Sequence, residues 1–217
     1  SATESGENNT STGSATDTLT VLAPPTISKL FSPNPILENG ISTLTFTILN
    51  PNQNDPIAGV AFADTFPAGM VIAGTPNANS TCGGTFTTIA GAGSVNLTGG
   101  GIVAGGSCTL SVDITAPTIG SYPNTTGNVS HLVNSVTFNG NTASDTLVVE
   151  APSPAIVILK QVGTTATGPW FDYVAVATGT DVYYQITIEN AGDVPLDNPT
   201  VTDPNVNTAG CIWTNPL

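Results

Sequence analysis

The sequence predicts an all-β chain of tandem immunoglobulin-like antiparallel β-sandwich modules, one complete and two partial. Three observations predict it. Apolar residues alternate at period two with Thr, Ser and Asn in short runs, the pattern of half-buried antiparallel strands. Pro, Gly and Asn punctuate the gaps between those runs. Finally, Ala15-Thr-Asp-Thr-Leu-Thr-Val-Leu-Ala-Pro24 returns as Ala143-Ser-Asp-Thr-Leu-Val-Val-Glu-Ala-Pro152, which marks a repeat array.

Each copy of that phrase is a strand-like run that ends at Ala-Pro and opens onto a new apolar strand. The first such strand holds Ile27-Ser-Lys-Leu-Phe31, the second Ile156-Val-Ile-Leu-Lys160. Leu44, Phe46 and Ile48 then share one face, with threonines on the other. Leu110, Val112 and Ile114 do the same, as do Val182, Tyr184, Ile186 and Ile188. Pro33-Asn-Pro35, Glu38-Asn-Gly40, Pro51-Asn52 and Asn139-Gly140 mark turns, and Gly99 to Gly106 reads as a hairpin region. No stretch has a helical period. Short alternating strands with frequent turns read as a sandwich of immunoglobulin type. Thr43 to Asn50 aligns with Tyr183 to Asn190, and Val60 to Asp64 with Pro199 to Asp203. Residues 1–23 are therefore expected to be closing strands of a preceding module, 25–152 a complete module, and 154–217 the opening half of a following one. Proline-stiffened junctions at Ala23-Pro-Pro25 and Ala151-Pro-Ser-Pro154 predict a semi-rigid rod.

Among 217 residues, 15 acids face 2 lysines and no Arg, for a formal charge of -13. That balance argues against nucleic acid and anionic membrane surfaces, which attract basic clusters. Apolar content of 39% is enough for a core. No apolar run approaches the roughly 18 residues of a membrane span. The scarcity of Lys and Arg beside abundant Thr, Asn and Gly is the composition of an exported surface protein.

An ordered set of motifs carries a family resemblance: a strand with Lys, a strand ending in Asn, Val-x-x-x-Asp-x-x-Pro, Cys-Gly-Gly, Gly-Gly-Ser-Cys-Thr, Tyr-x-Asn-Thr-Thr and Asp-Thr-Leu-x-Val. Together they resemble the conserved-repeat domains of prokaryotic surface proteins, the domain-of-unknown-function-eleven family and its relatives. The resemblance covers essentially the whole chain. It implies secreted β-sandwich arrays in adhesins, sheaths, filaments or envelope layers, and no catalytic activity.

Cys82 and Cys108 lie at strand ends beside glycines within one module. They read as an intra-module disulfide, consistent with export, or as two reduced thiols. Zinc is a poor reading with two cysteines and no nearby His. Cys211 matches the first cysteine of the module and expects a partner elsewhere.

Lys29 and Lys160 occupy one address, the first strand after each Ala-Pro junction. Period two puts Lys29 on a face with Ile27 and Phe31, and Lys160 with Ile156 and Ile158. Asp64 shares a face with Val60, Phe62 and Phe66, and Asp203 with Val201. Inward charges need partners. One reading is a Lys–Asp ion pair, or a Lys that snorkels to solvent. The other follows the resembling β-sandwich modules of surface pilins: an isopeptide bond in which Lys29 attacks an Asn while Asp64 assists. Desolvation makes a lysine less basic and a carboxyl more so, which suits that chemistry. The acceptor would be Asn124, or Asn134 on the face of Leu132, Val136 and Phe138. Lys160 and Asp203 would be the equivalents in the next module.

Other constellations are weaker. His131, the single histidine, reads as a surface residue rather than a base. No nucleophile elbow or phosphate loop stands in a strand–helix context, so no enzyme is expected. No cofactor is expected either. Calcium has only scattered acids, of which Asp193, Asp197 and Asp203 could meet at one pole. Sequons at Asn8, Asn9, Asn79, Asn96, Asn124 and Asn128 are about as many as chance gives, and glycosylation at Asn124 would exclude it as an acceptor. Trp170, Phe171 and Tyr173 form a cluster in an insertion, either core or a lateral contact.

The reading is a structural segment of a secreted, repetitive cell-surface or extracellular filament or sheath protein. Its expected partners are neighbouring modules or subunits of its own kind, with neither nucleic acid nor membrane insertion. The alternative is an adhesin stalk or a carbohydrate- or protein-binding module. Closing strands at one end and an opening half at the other suggest head-to-tail strand addition into a homopolymer. The two pieces together fall short of a module, which favours a stretch of a longer covalent chain.

Overall fold

Alternation becomes strands throughout the computed structural model, which describes residues 21–206. Cys211, Asn8, Asn9 and most of residues 1–23 lie outside the described residues. The elements are β1 (Thr26–Ser32), β2 (Ile36–Leu37), β3 (Ile41–Leu49), β4 (Ile57–Thr65), β5 (Val71–Ile72), β6 (Asn79–Ser80), β7 (Thr85–Thr87) and β8 (Ser94–Ile102). They continue as β9 (Ser107–Thr115), β10 (Gly120–Thr125), β11 (Ser130–Val133), β12 (Val136–Asn139), β13 (Ser144–Glu150), β14 (Ile156–Gly163) and β15 (Tyr183–Asn190). The fold is all-β, with no helix among the described residues.

One layer runs β1-β3-β9-β5, with β6 also on β9. A second runs β12-β11-β4-β8-β7. A short sheet, β10-β13-β2, lies beside both, its β2 parallel to β13. The inward residues of the two main layers interdigitate: Leu44, Phe46 and Ile48 from β3, Val60 and Phe62 from β4, Leu97 from β8, Leu110, Val112 and Ile114 from β9. Phe46 and Phe62 meet across the layers at 4.8 Å between ring centroids. Buried side chains of this size each stabilise by about 1.5–3 kcal/mol. Cys82 and Cys108 are joined in a disulfide across 26 residues. A closed loop of that length adds about 3–4 kcal/mol in the chain-entropy view.

β1 and β13 close the sandwich without a backbone ladder. Three side chains substitute for one. Asn141 Oδ1 accepts the Ile27 N–H and its Nδ2 donates to Ile27 O, both at 2.8 Å. Asp145 Oδ2 accepts the Phe31 N–H at 2.8 Å. Asn34 donates to Thr146 O at 2.7 Å and accepts the Val148 N–H at 2.9 Å. Each amide or carboxylate offers a strand edge the donors and acceptors that a neighbouring backbone would supply.

β14 and β15 form a separate two-stranded antiparallel sheet. Tyr184 is exposed there rather than inward, because no second layer covers this pair among the described residues. Phe171 forms a bridge to Val162, and Tyr173 is exposed. Each Ala-Pro junction is held by a side chain from a loop, the one after β3 for the first and the one after β15 for the second. Asn52 Oδ1 accepts the Ala23 N–H at 2.8 Å, and Asp193 Oδ1 accepts the Ser153 N–H at 2.7 Å.

Candidate functional site

Lys29, Asp64 and Asn124 meet where the three sheets built from β1 to β13 converge. Alternation along β1 buries Ile27, Lys29 and Phe31 together. Alternation along β4 buries Val60, Phe62 and Asp64, and on β10 it buries Tyr122 and Asn124. The polar residues thus sit at positions the pattern reserves for apolar ones, and each sheet supplies one.

The side chains of Lys29 and Asp64 are both 0% exposed. Lys29 Nζ donates to Asp64 Oδ2 at 2.7 Å and also contacts Asn124 Oδ1. Asn124 Nδ2 donates to Asp64 Oδ1 at 2.8 Å and to Thr65 O at 3.0 Å. The carboxylate therefore bridges the amine and the carboxamide nitrogen, one oxygen to each. Phe31 and Phe46 wall the amine, with ring centroids 5.4 and 5.5 Å from Nζ. Burial holds Lys29 below the usual lysine range, and the hydrogen bond and charge of Asp64 oppose that shift without cancelling it. The site thus combines an amine of reduced basicity, a carboxamide carbon and a proton carrier, all screened from water. Those are the parties to an amide exchange.

Of the two acceptors read from the sequence, the structure brings Asn124 to the lysine and leaves Asn134 away. Asn134 sits at φ 49° in the turn between β11 and β12, and Leu132, Val136 and Phe138 on its supposed inner face are exposed. A left-handed turn reverses the chain there, so period-two extrapolation across it fails. Lys160 donates to Asp203 Oδ2, with side chains 38% and 12% exposed. Lys160 holds the Asp203 carboxyl below its ordinary range, aided by the Asn205 N–H. Asp193 is engaged by the Ser153 N–H. No cluster of three or more His, Cys, Asp or Glu gathers among the described residues.

His131 is a correction. It is 1% exposed, not a surface residue, and neither ring nitrogen has a hydrogen-bond partner. It stacks obliquely on Phe138 at 5.8 Å, so the β11–β12 hairpin hides it. Two residues that sequence reading missed are Asn141 and Asp145, the side chains that staple β1 beside the site. Asp145 carried a signal: it is the Asp of the repeated Ala-x-Asp-Thr-Leu phrase.

Residues 25–149 match the family described as Domain of unknown function (DUF7933). No curated protein matches the chain. Among solved structures, the chain is similar to the cohesin module from a Clostridium perfringens family 33 glycoside hydrolase, at 10% identity and TM-score 0.45, over 61% of this chain and 99% of that one. It is similar to BcpA, the major pilin subunit of Bacillus cereus, at 14% identity and TM-score 0.41, over 80% of this chain and 61% of the pilin. It is also similar to the collagen-binding domain from a Staphylococcus aureus adhesin, at 12% identity and TM-score 0.40, over 60% of this chain and 99% of that domain.

Proposed function

The chain belongs to the DUF7933 family, and we propose that it is a structural segment of a secreted, repetitive cell-surface or extracellular filament or sheath protein whose complete module locks itself with a Lys29–Asn124 isopeptide bond. The observation that carries this reading is the buried contact of Lys29, Asp64 and Asn124. A buried ion pair alone is a poor device for stability, because desolvating two charges offsets most of their attraction. A covalent amide removes both the charge on Lys29 and its desolvation cost.

The reaction needs no co-reactant. A proton passes from the Lys29 ammonium to Asp64, leaving a neutral amine. Nζ attacks Cγ of Asn124, forming the Nζ–Cγ bond. Asp64 returns the proton to Nδ2, the Cγ–Nδ2 bond breaks, and the released ammonia takes up the second proton that Nζ sheds, leaving as ammonium. Atoms and charge balance, and the carboxyl group ends as it began. The disulfide between Cys82 and Cys108 supports an oxidising compartment.

With only two lysines and no arginine, trypsin reads the bond directly. The reduced, denatured chain is expected to weigh one ammonia less than its sequence, and to be cut after Lys160 but not after Lys29. A succinimide at Asn39-Gly40 or Asn139-Gly140 would also lose ammonia, yet would leave Lys29 open to cleavage. A chain of full mass cut at both lysines would overturn the reading. A second reading, a binding module, is favoured by an apolar cleft of about 410 Å³ lined by Val21, Leu22, Asp55, Val133 and Phe138. Glycan or peptide binding that is lost in Phe138→Ala would support it.

A further inference from the structure

β14 and β15 rebuild the opening of the complete module, register included. Lys29 lies opposite Phe46 across β1–β3, and Lys160 lies opposite Ile186 across β14–β15. Asn50 directly follows β3 and Asn190 ends β15, and each donates to a loop carbonyl, Asp55 O and Val194 O, at 2.8 Å. Lys160 donates to Asp203 as Lys29 does to Asp64, and its Nζ lies 4.4 Å from the Tyr184 ring centroid. The amine and the carboxyl are in place. Among the described residues, the hydrogen-bond partner of Lys160 is Asp203, and no Asn stands to it as Asn124 stands to Lys29.

No second layer covers the face around Lys160 among the described residues. Ile158 and Tyr184 are exposed, whereas Ile27 and Leu44, at corresponding places in the complete module, are buried. The same chain shows what covers such a face: strands of the β4 and β10–β13 kind, with Asn124 on β10 brought against the lysine. We propose that the β14–β15 face is a docking site for a closing segment of this repeat type, whose β10-like strand presents an Asn that becomes amide-bonded to Lys160. This rests on the reading of Lys29 above.

Docking would itself switch on the chemistry. An ammonium beside a carboxylate in water is no nucleophile. Covering the pair with apolar strands removes the water that sustains both charges and favours the neutral forms. Nζ of Lys160 then bonds to Cγ of the incoming Asn, Cγ–Nδ2 breaks, ammonia leaves, and Asp203 relays the proton. One feature limits the approach. Val162 exchanges backbone hydrogen bonds with Phe171 at 2.8 and 2.9 Å, where Phe31 in the complete module gives its N–H to Asp145. The incoming segment therefore closes over the Ile156-to-Lys160 stretch and ends at Phe171.

The test extends the whole chain at Leu217 with a second copy of residues 89–152. The fused protein is expected to lose two ammonias and to resist trypsin at both Lys29 and Lys160. Asn124→Ala in the appended copy alone should restore one ammonia and cleavage after Lys160, leaving Lys29 protected. If one ammonia is lost and Lys160 is still cut in the parent fusion, whether or not the added strands dock, this inference is overturned while the Lys29 reading stands. If no ammonia is lost at all, both fall.

Discussion

At the scale of single residues, Asp64 is the position on which the site depends. It holds the amine at 2.7 Å and the carboxamide nitrogen at 2.8 Å, so its removal leaves the lysine buried with neither a counter-charge nor a proton carrier. Asp64→Ala is expected to show the full sequence mass and cleavage at Lys29, and to lose about 3–5 kcal/mol from a lysine left buried without a counter-charge, in addition to the lost cross-link. Intact mass and urea unfolding check the two halves of that statement separately. His131 makes a different prediction. Burial pushes its imidazole below the ordinary value of 6.5, so the folded chain holds it neutral while the unfolded chain takes up a proton. Its contribution is intact above pH 6.5 and is lost progressively as the pH falls toward the lowered folded value. The urea midpoint of the parent, relative to His131→Leu, should therefore drop between pH 7.5 and pH 5.5; a constant difference would contradict it.

At the scale of elements, the long alternating strands were legible in the sequence and the closure between them was not. β1, β3, β4 and β9 carry their burial as a period-two pattern, and that pattern alone aims Lys29 and Asp64 inward. Two-residue strands such as β2 and β5 have no period to read, and exist because a neighbour already offers an edge. The Asn124 site was half legible: the residue stood out in its Tyr-x-Asn-Thr-Thr motif, but its choice over Asn134 depends on a turn that reverses the chain. Nor could the local pattern show that Asn141 and Asp145 replace a strand for β1, since each acts on a partner 114 residues away. That substitution is testable. Asp145→Ala leaves the Phe31 N–H without its acceptor, which costs about 1–3 kcal/mol. Hydrogen exchange at Phe31 should rise far more than at Leu44 in the middle of β3; equal protection in parent and variant would show that Asp145 is not what holds that edge. Gly140 serves the same closure. A Cβ there would stand 1.9 Å from Pro25 O, so Gly140→Ala forces the β12–β13 connection away from the start of β1.

At the scale of the whole molecule, the proposed Lys29–Asn124 bond would determine which residues feel tension. Pulling between Pro25 and Glu150 would then send force along β1 to Lys29, across the amide to Asn124, and on through residues 125–150 to the end of β13. Residues 30–123 hang off that path as a loop, and the Cys82–Cys108 disulfide lies wholly within it. The two links would therefore be nested, the proposed outer one carrying force and the disulfide only limiting the loop. Single-molecule extension separates them. The cross-linked module should gain no length from residues 30–123, and reducing the disulfide should change nothing. Asn124→Ala opens the outer link, so the chain between Lys29 and residue 124 extends as far as the disulfide allows. Reduction should then release the 26-residue span between the cysteines, roughly 90 Å at about 3.4 Å per extended residue. A disulfide-dependent length change in the parent protein would mean that force reaches Cys82, and hence that Lys29 is not bonded to Asn124.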